Sequence, residues 1–358
     1  MFKDNIHFVG LDLGDRSSQL TVIDSEGELV EETRLPTSKV SFERKFAHLP
    51  RARVAMEVGT HSRWASQLIE GLGHEVLVAN ARKLRAIYDN PRKGDRADAE
   101  TLARLARLDP QLLSPIHHRS PEAQADLSVI RSRDSLVRSR TLLINHVRGT
   151  VKANGGRLPG CSAASFHNRV KESVPESLRP ALLPILETIA SLTGQIRGFD
   201  RQIEELCSQR YPETRLLKQV AGVGSLTALT FVLTLEDPKR FHKSREVGPA
   251  LGLVPRRDQS GDQDPQLRIT KTGNVYLRQL LVGCAHYILG PFGPDCDLRR
   301  WGLKLAERGG KNARKRAVVA VARKLAILLH RLWKTGEVYD PYYRSEEREL
   351  LSQAAEAA

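Results

Sequence analysis

Ile6-His7-Phe8-Val9-Gly10-Leu11-Asp12-Leu13 is the stretch on which the fold turns. It is apolar, short enough for a strand, and it closes on an acid held in Gly10-Leu11-Asp12-Leu13-Gly14. A carboxylate in so apolar a strand is costly without a partner, so Asp12 reads as a functional group. Working outward, Leu20–Asp24 and Glu28–Arg34 are further β-leaning segments, parted by turn residues that include Ser25-Glu26-Gly27. With the first run they predict three antiparallel strands. Arg53–Glu57 and Glu75–Ala79 are nearly continuous apolar runs, the pattern of strands buried on both faces. Ser62–Gly71 and Ala97–Leu108 carry helical patterns between and after them.

Three antiparallel strands followed by strand–helix alternation is the order of a ribonuclease-H-like α/β fold. On that frame the acids acquire a pattern. Asp12 and Glu57 each end a strand, and Asp95 and Asp98 lie three apart at the start of a helix, hence on one side of it. Magnesium takes oxygen ligands and keeps several waters, so a few carboxylates suffice to hold it. Two such ions can activate an attacking oxygen and stabilise a leaving one in phosphodiester cleavage. Each acid also has a plainer reading. Glu57 could be an ordinary strand-end acid, and Asp95 and Asp98 could simply favour a helix N-terminus.

The chain has 358 residues, enough for about two or three domains with cores of their own. Lys and Arg number 56 against 42 Asp and Glu, giving +14 and a pI near 9.8. That excess points to a polyanionic partner, nucleic acid before a membrane surface. It is uneven: residues 295–334 hold twelve basic residues and three acids, and residues 239–278 hold nine and four. The four cysteines form no Cys-x-x-Cys pair and have no zinc-like His spacing, as expected of reduced thiols in the cytoplasm. No signal-peptide pattern opens the chain, and no apolar stretch approaches the ~20 residues that span a bilayer. The expected location is cytoplasmic, with no membrane partner.

Residues 120–210 change period. Ile130, Val137, Ile144 and Val151 recur every seven residues, and Ile185, Ile189, Leu192, Ile196, Phe199, Ile203 and Leu206 alternate four and three apart. Two long helices are predicted, broken at Asn154-Gly155-Gly156-Arg157-Leu158-Pro159-Gly160. The seam suits a spacer within one chain or a dimerising coiled coil, and we favour the dimer. From about 215 to 340 the chain is mainly helical. Gly222 and Gly224 precede the run Ser225–Leu235 in a turn like that of a helix–hairpin–helix element, where backbone N–H groups can approach a phosphate. A plain helix–turn–helix junction gives the same signal. Ser260 lies in a polar loop flanked by Arg256, Arg257, Arg268, Lys271 and Arg278. A serine among cations can attack a phosphodiester, although a loop serine is more often structural.

These residues resemble a known family. Leu11-Asp12-Leu13-Gly14, Met56-Glu57-Val58-Gly59-Thr60 and Lys93-Gly94-Asp95-Arg96-Ala97-Asp98-Ala99 are similar to the DEDD motif of RuvC-like insertion-sequence transposases. Val220-Ala221-Gly222-Val223-Gly224, Leu251-Gly252-Leu253-Val254-Pro255, Gln259-Ser260-Gly261 and Arg268-Ile269-Thr270-Lys271-Thr272-Gly273-Asn274 resemble that family's second, serine-bearing domain. The resemblance implies a RuvC-like catalytic domain over 1–115, a helical coiled-coil or dimerisation region over 116–214, a mainly α transposase domain over 215–342, and a tail over 343–358. It also implies a recombinase that cuts and rejoins double-stranded DNA at element ends and target. Its active site would be composite: Asp12, Glu57, Asp95 and Asp98 on Mg2+, and Ser260 as the nucleophile of a covalent phosphoserine. Gly222, Gly224 and the five basic residues would contact nucleic acid. A dimer or tetramer, a noncoding bridge RNA that pairs with DNA, and a prokaryotic, nucleoid-associated location follow from the same resemblance. Two other readings stand beside it: a RuvC-like junction-resolving nuclease that uses water, and a non-catalytic nucleic-acid scaffold.

Overall fold

Strand β1 (His7–Asp12) lies at the centre of a five-stranded sheet in the computed structural model of the protein. The structure describes residues 6–80, 94–265, 267–310 and 312–343; Lys93 and the tail beyond Tyr343 lie outside them. The chain divides into two compact units, Met1–Arg119 and Ser120–Ala358.

In the first unit β1 pairs antiparallel with β2 (Ser17–Ile23), which pairs antiparallel with β3 (Leu29–Pro36). On its other side β1 runs parallel to β4 (Ala52–Glu57), and β4 parallel to β5 (Glu75–Ala79), for a sheet order of β3-β2-β1-β4-β5. This is the α/β succession that the sequence predicts. Alternation sorts the side chains. Val9, Leu11, Leu20, Val22, Val54 and Met56 form a core with α1 (Lys39–Ala47) and α2 (Ser62–Gly71), in which Phe42, Phe46, Ala65 and Ile69 are buried. Each such large apolar side chain contributes roughly 1.5–3 kcal/mol when fully buried. On the opposite face Ala55 and Ala79 pack against Leu102 and Ala106 of α3 (Asp95–Leu108) and against Leu113. Helix α1 has no counterpart in the sequence reading. Its signals are local: Ser38 accepts from the Ser41 backbone N–H as N-cap, and Phe42 and Phe46 lie four apart.

The second unit is helical. Helices α4 (Pro121–Ala153) and α5 (Arg179–Gln209) pack side by side. Arg133 meets Asp200 and Arg140 meets Thr193, so one helix ascends in number where the other descends and the pair is antiparallel. The predicted seam residues Ile130, Ile144, Val151, Ile189, Ile196, Ile203 and Leu206 are buried within this one chain. Residues 154–178, inside the 149–180 stretch that follows no sequence pattern, cap one end of the pair: Phe166 and Val170 are fully buried there, with the Arg148 guanidinium 5.0 Å from the Phe166 ring centre. At the other end Leu127, Ile203 and Cys207 meet Leu229 and Leu233 of α6 (Ser225–Leu235). Helix α6 is apolar all round, which requires burial on every side. Helices α7 (Val275–Leu289), α8 (Asp297–Glu307) and α9 (Ala313–Thr335) complete the core around it, with Phe231, Leu281, Val321 and Leu325 fully buried. Among the described residues no helix is long and apolar enough to cross a membrane.

Candidate active site

Asp12 and Glu57 are the last residues of neighbouring parallel strands, and the register Leu11–Met56 places them side by side. Both follow the alternation of Gly10 and Ala55 onto the α3 face. Gly10 explains how α3 comes so close. A Cβ there would lie 1.8 Å from the Ala99 carbonyl oxygen and 2.7 Å from the Ala103 nitrogen, so the helix rests on bare strand backbone. Ala99, Leu102, Ala103 and Ala106 form the buried stripe of α3, and Asp95 and Asp98 stand in its first turn at the strand-end level of the sheet. The four acids therefore act on one another. Burial first, then the charges of Asp95, Asp98 and Glu57, push the Asp12 carboxyl up to about 6.

Around the acids, polar contacts fix the loop that follows Glu57. The Gly59 N–H donates to Ser62 Oγ at 3.0 Å, and Ser62 Oγ donates to the Gly59 carbonyl at 2.9 Å. With that proton committed, His118 Nε2–H donates to Ser62 Oγ, 3.0 Å away. Burial, then Arg63 and Arg119, lower the His118 pKa, which favours the neutral ring. His61 accepts from Trp64 Nε1 at 3.1 Å and approaches Asp15 at 3.6 Å, linking the loop after Glu57 to the loop after Asp12. None of this was legible beforehand, because a lone His or Ser carries no period to find.

Whether the site fits a metal can be judged from its donors. Among the described residues no three His, Cys, Asp or Glu side chains converge closely enough to enclose an ion. The acids present nevertheless supply hard oxygen ligands, and Asp12, raised by burial first and then by the neighbouring acids, is a group whose repulsion a divalent cation would relieve. In kind, though not in closeness, the donors suit a hard cation.

Ser260 lies in the second unit, at the tip of a two-stranded arm. Thr270 N–H donates to the Val254 carbonyl and Arg256 N–H to the Arg268 carbonyl, and Ser260 and Gln263 exchange backbone bonds of 3.1 Å across the final turn. Gly261 at φ 55 makes that turn. Ser260, Arg256, Arg257, Arg268 and Lys271 are all exposed, and Arg257 faces Asp264 at 3.5 Å. Arg278 is placed differently. It is 8% exposed, and its Nη1 donates to the Leu251 carbonyl at 2.9 Å and to the Thr272 carbonyl at 2.6 Å. Those carbonyls bracket the arm, so Arg278 staples its two ends to α7. The base is also pinched: a Cβ on Gly252 would lie 2.3 Å from the Thr272 nitrogen, and one on Gly273 would lie 2.1 Å from the Ala250 oxygen.

Gly222 and Gly224 are exposed ahead of α6. Gly222 is fixed by its conformation, φ 84, and by packing, since a Cβ would meet Tyr287 Cδ1 at 2.9 Å. Gly224 is the N-cap, extended and with open space around it.

Comparison with known proteins agrees with this architecture. A model of DEDD transposases matches residues 9–153, from β1 to the end of α4, and one described as transposase of the IS116/IS110/IS902 family matches residues 214–294. The chain is similar to a "Probable family 20 transposase" of Pseudomonas aeruginosa, 30% identical over 94% of this chain and 99% of that one. It is 29% identical to a transposase for insertion sequence element IS1111A of Coxiella burnetii, over 94% of this chain and 92% of the other. A transposase for insertion sequence element IS1328 of Yersinia enterocolitica is 28% identical over 78% of this chain and 83% of its own. On these matches, the chain belongs to the IS116/IS110/IS902 family of transposases.

Proposed function

We propose that this transposase is the DNA recombinase of an insertion sequence, cutting and rejoining double-stranded DNA through a covalent phosphoserine at Ser260. The first unit would be a RuvC-like catalytic domain, 1–115. A helical region, 116–214, would join it to a serine-bearing domain, 215–342, followed by a tail, 343–358. The observation that carries the reading is the pairing of Asp12 and Glu57 at adjacent strand ends under a helix whose first turn holds Asp95 and Asp98, with burial and those acids raising the Asp12 carboxyl. Acids gathered at that cost suit a cation site better than a structural role.

Asp12, Glu57, Asp95 and Asp98 would hold Mg2+, which when bound supplies Lewis-acid stabilisation of charge on the phosphate oxygens. Ser260 Oγ would form the new phosphoester as a sugar oxygen leaves and takes up a proton, one ester replacing another. The link conserves the bond energy needed to rejoin the strand. Exposed Arg256, Arg257, Arg268 and Lys271 would neutralise the phosphate, with Gly222 and Gly224 offering backbone N–H groups, while Arg278 holds the arm from below. Strand exchange joins several DNA ends, which supports a dimer or tetramer. A noncoding bridge RNA pairing with both DNAs belongs to this reading through the resemblance alone. Such a reaction takes place at the nucleoid, in the cytoplasm of a prokaryote.

Ser260 and the acids belong to different units, and this favours one rival: a nuclease in which water attacks. The test is Ser260→Ala against Asp12→Asn on DNA carrying the element ends. The recombinase loses covalent protein–DNA adduct and cleavage in both variants. If Ser260→Ala still cuts, water is the nucleophile. RNA recovered with the purified protein would be sequenced; a random mixture would remove the bridge RNA from the reading.

A further inference from the structure

Strand β3 forms one edge of the sheet, and among the described residues no strand pairs with its outer side. An open edge offers backbone donors and acceptors to another strand. Which residues offer them follows from the register. The Thr37 N–H donates to the Arg16 carbonyl, so Thr37 turns its backbone groups toward β2, and by alternation so do Leu35, Thr33 and Glu31. Pro36, Arg34 and Glu32 therefore turn theirs outward. Proline has no N–H to give, and here it stands where no bond to β2 is lost. The outward run is bounded: Pro36 ends it, and the register shift between Val22 and Ile23 breaks it at the other end.

Charges on an edge commonly keep a second edge away. The pattern here does the opposite for one partner. Glu32 and Arg34 flank Thr33, two apart and so on one face of the strand. Glu32 is tied to Arg96 in the first turn of α3, which marks that face as the α3 side. Arg34 is exposed, its Nε donates to Ser17 Oγ at 2.9 Å, and it has no carboxylate partner among the described residues. When a second β3 runs antiparallel to the first about a two-fold axis at Thr33, Glu32 of each copy meets Arg34 of the other. The outward backbone groups of both residues then pair as well. An axis at Glu32 would set Glu32 against itself, and an axis at Arg34 would set the arginines together, both of which cost energy. Glu32-Thr33-Arg34 is thus complementary to its own copy in a single register.

We infer that β3 is the docking edge for β3 of a second copy of this chain, the two joined antiparallel about Thr33 into one continuous sheet. The heptad seam expected to join copies is buried within one chain, so an oligomer needs another surface. The inference rests on the reading of the protein as a dimer or tetramer and names one of its interfaces. It requires neither the phosphoserine nor the metal.

Thr33→Cys is the direct probe. Residues facing each other in a non-hydrogen-bonded antiparallel pair have Cα atoms about 4.5 Å apart, within reach of a disulfide. Under mild oxidation the full-length variant should form a reducible dimer at least ~10-fold faster than the parent, which carries only its native thiols. Leu29→Cys is the control: Leu29 is 53% exposed, but in this register it lies roughly 25 Å from its counterpart, so its rate should match the parent's. Charge gives the second readout. Arg34→Glu places like charges together twice in each pair of copies and should weaken association in sedimentation at least ~10-fold. Glu32→Arg/Arg34→Glu restores opposite charges and should recover the parent value to within about three-fold. Melting curves identify which variants are folded, and should the double variant unfold, the cysteine pair decides. No dimer from Thr33→Cys, equal rates for Leu29→Cys and Thr33→Cys, or a folded double variant no tighter than Arg34→Glu would overturn the inference. An oligomer that persists without cross-linking through Thr33→Cys keeps the assembly and overturns this interface alone. Conversely, cross-linking through Thr33→Cys beside a Ser260→Ala protein that still cuts removes the phosphoserine and upholds the β3 interface.

Discussion

At the scale of single residues, Asp12 carries the largest testable consequence. In the unfolded chain it ionises near the usual 3.8, whereas in the folded protein it holds its proton to about 6. Between those values the unfolded state gives up a proton that the folded state keeps. Stability therefore falls as pH rises through that window and stays low above it. The side chain is only partly buried, so screening reduces the effect to about 1–2 kcal/mol. Asp12→Asn removes the penalty. Without divalent ions at pH 8 the variant should melt a few degrees above the parent, and at pH 4 the two should converge. Mg2+ should raise the melting point of the parent more than that of the variant. Equal response of both proteins to Mg2+ would remove Asp12 from the proposed cation site.

At the scale of elements, the acids depend on how closely α3 lies on β1, and Ser260 on how firmly its own arm is held. Gly10→Ala would thrust a methyl group to 1.8 Å from the Ala99 carbonyl oxygen, so α3 must lift. The expected cost is about 1–3 kcal/mol in chemical denaturation. Cleavage should fall further than that loss explains, because Asp95 and Asp98 ride on the same helix; cleavage that merely tracks stability would separate the helix position from the chemistry. Arg278→Lys keeps the charge but loses the planar guanidinium whose Nη1 reaches both the Leu251 and Thr272 carbonyls. Faster amide exchange at Arg256 and Thr270, with α7 unchanged, is the expected result. Exchange unchanged throughout the arm would leave Arg278 as a contact rather than a clamp. The same elements mark the limit of reading a sequence. All five strands and the acids at their ends were legible, because alternation and a carboxylate at the end of an apolar run are local signals. The role of Gly10, the burial of Arg278 and the pinch at Gly252 and Gly273 were not. Each depends on a backbone that arrives from far along the chain, and Arg278 among neighbouring cations looks like one more phosphate ligand.

For the whole molecule, the division of charge follows the division of structure. Residues 1–119 hold 18 basic and 17 acidic residues, whereas 120–358 hold 38 and 25, so nearly the entire excess belongs to the second unit. If the acids hold a cation as proposed, placing them in a nearly neutral unit keeps it from competing with a dense field of Lys and Arg. Grip on a polyanion then falls to the helical unit. The first unit covers both faces of its sheet with its own helices, α1 and α2 on one side and α3 on the other, and so has the core of an independent domain. Expressed alone, residues 1–119 should melt cooperatively and give dispersed amide resonances. The fragment should retain the difference in Mg2+ response between Asp12 and Asn at that position. Its affinity for random duplex should be weak and nearly independent of salt, while 120–358 should keep most of the affinity and the steep salt dependence of the full chain. Salt-dependent binding by the first fragment at full strength would place the electrostatic grip beside the acids and undo the division of labour argued from the charges.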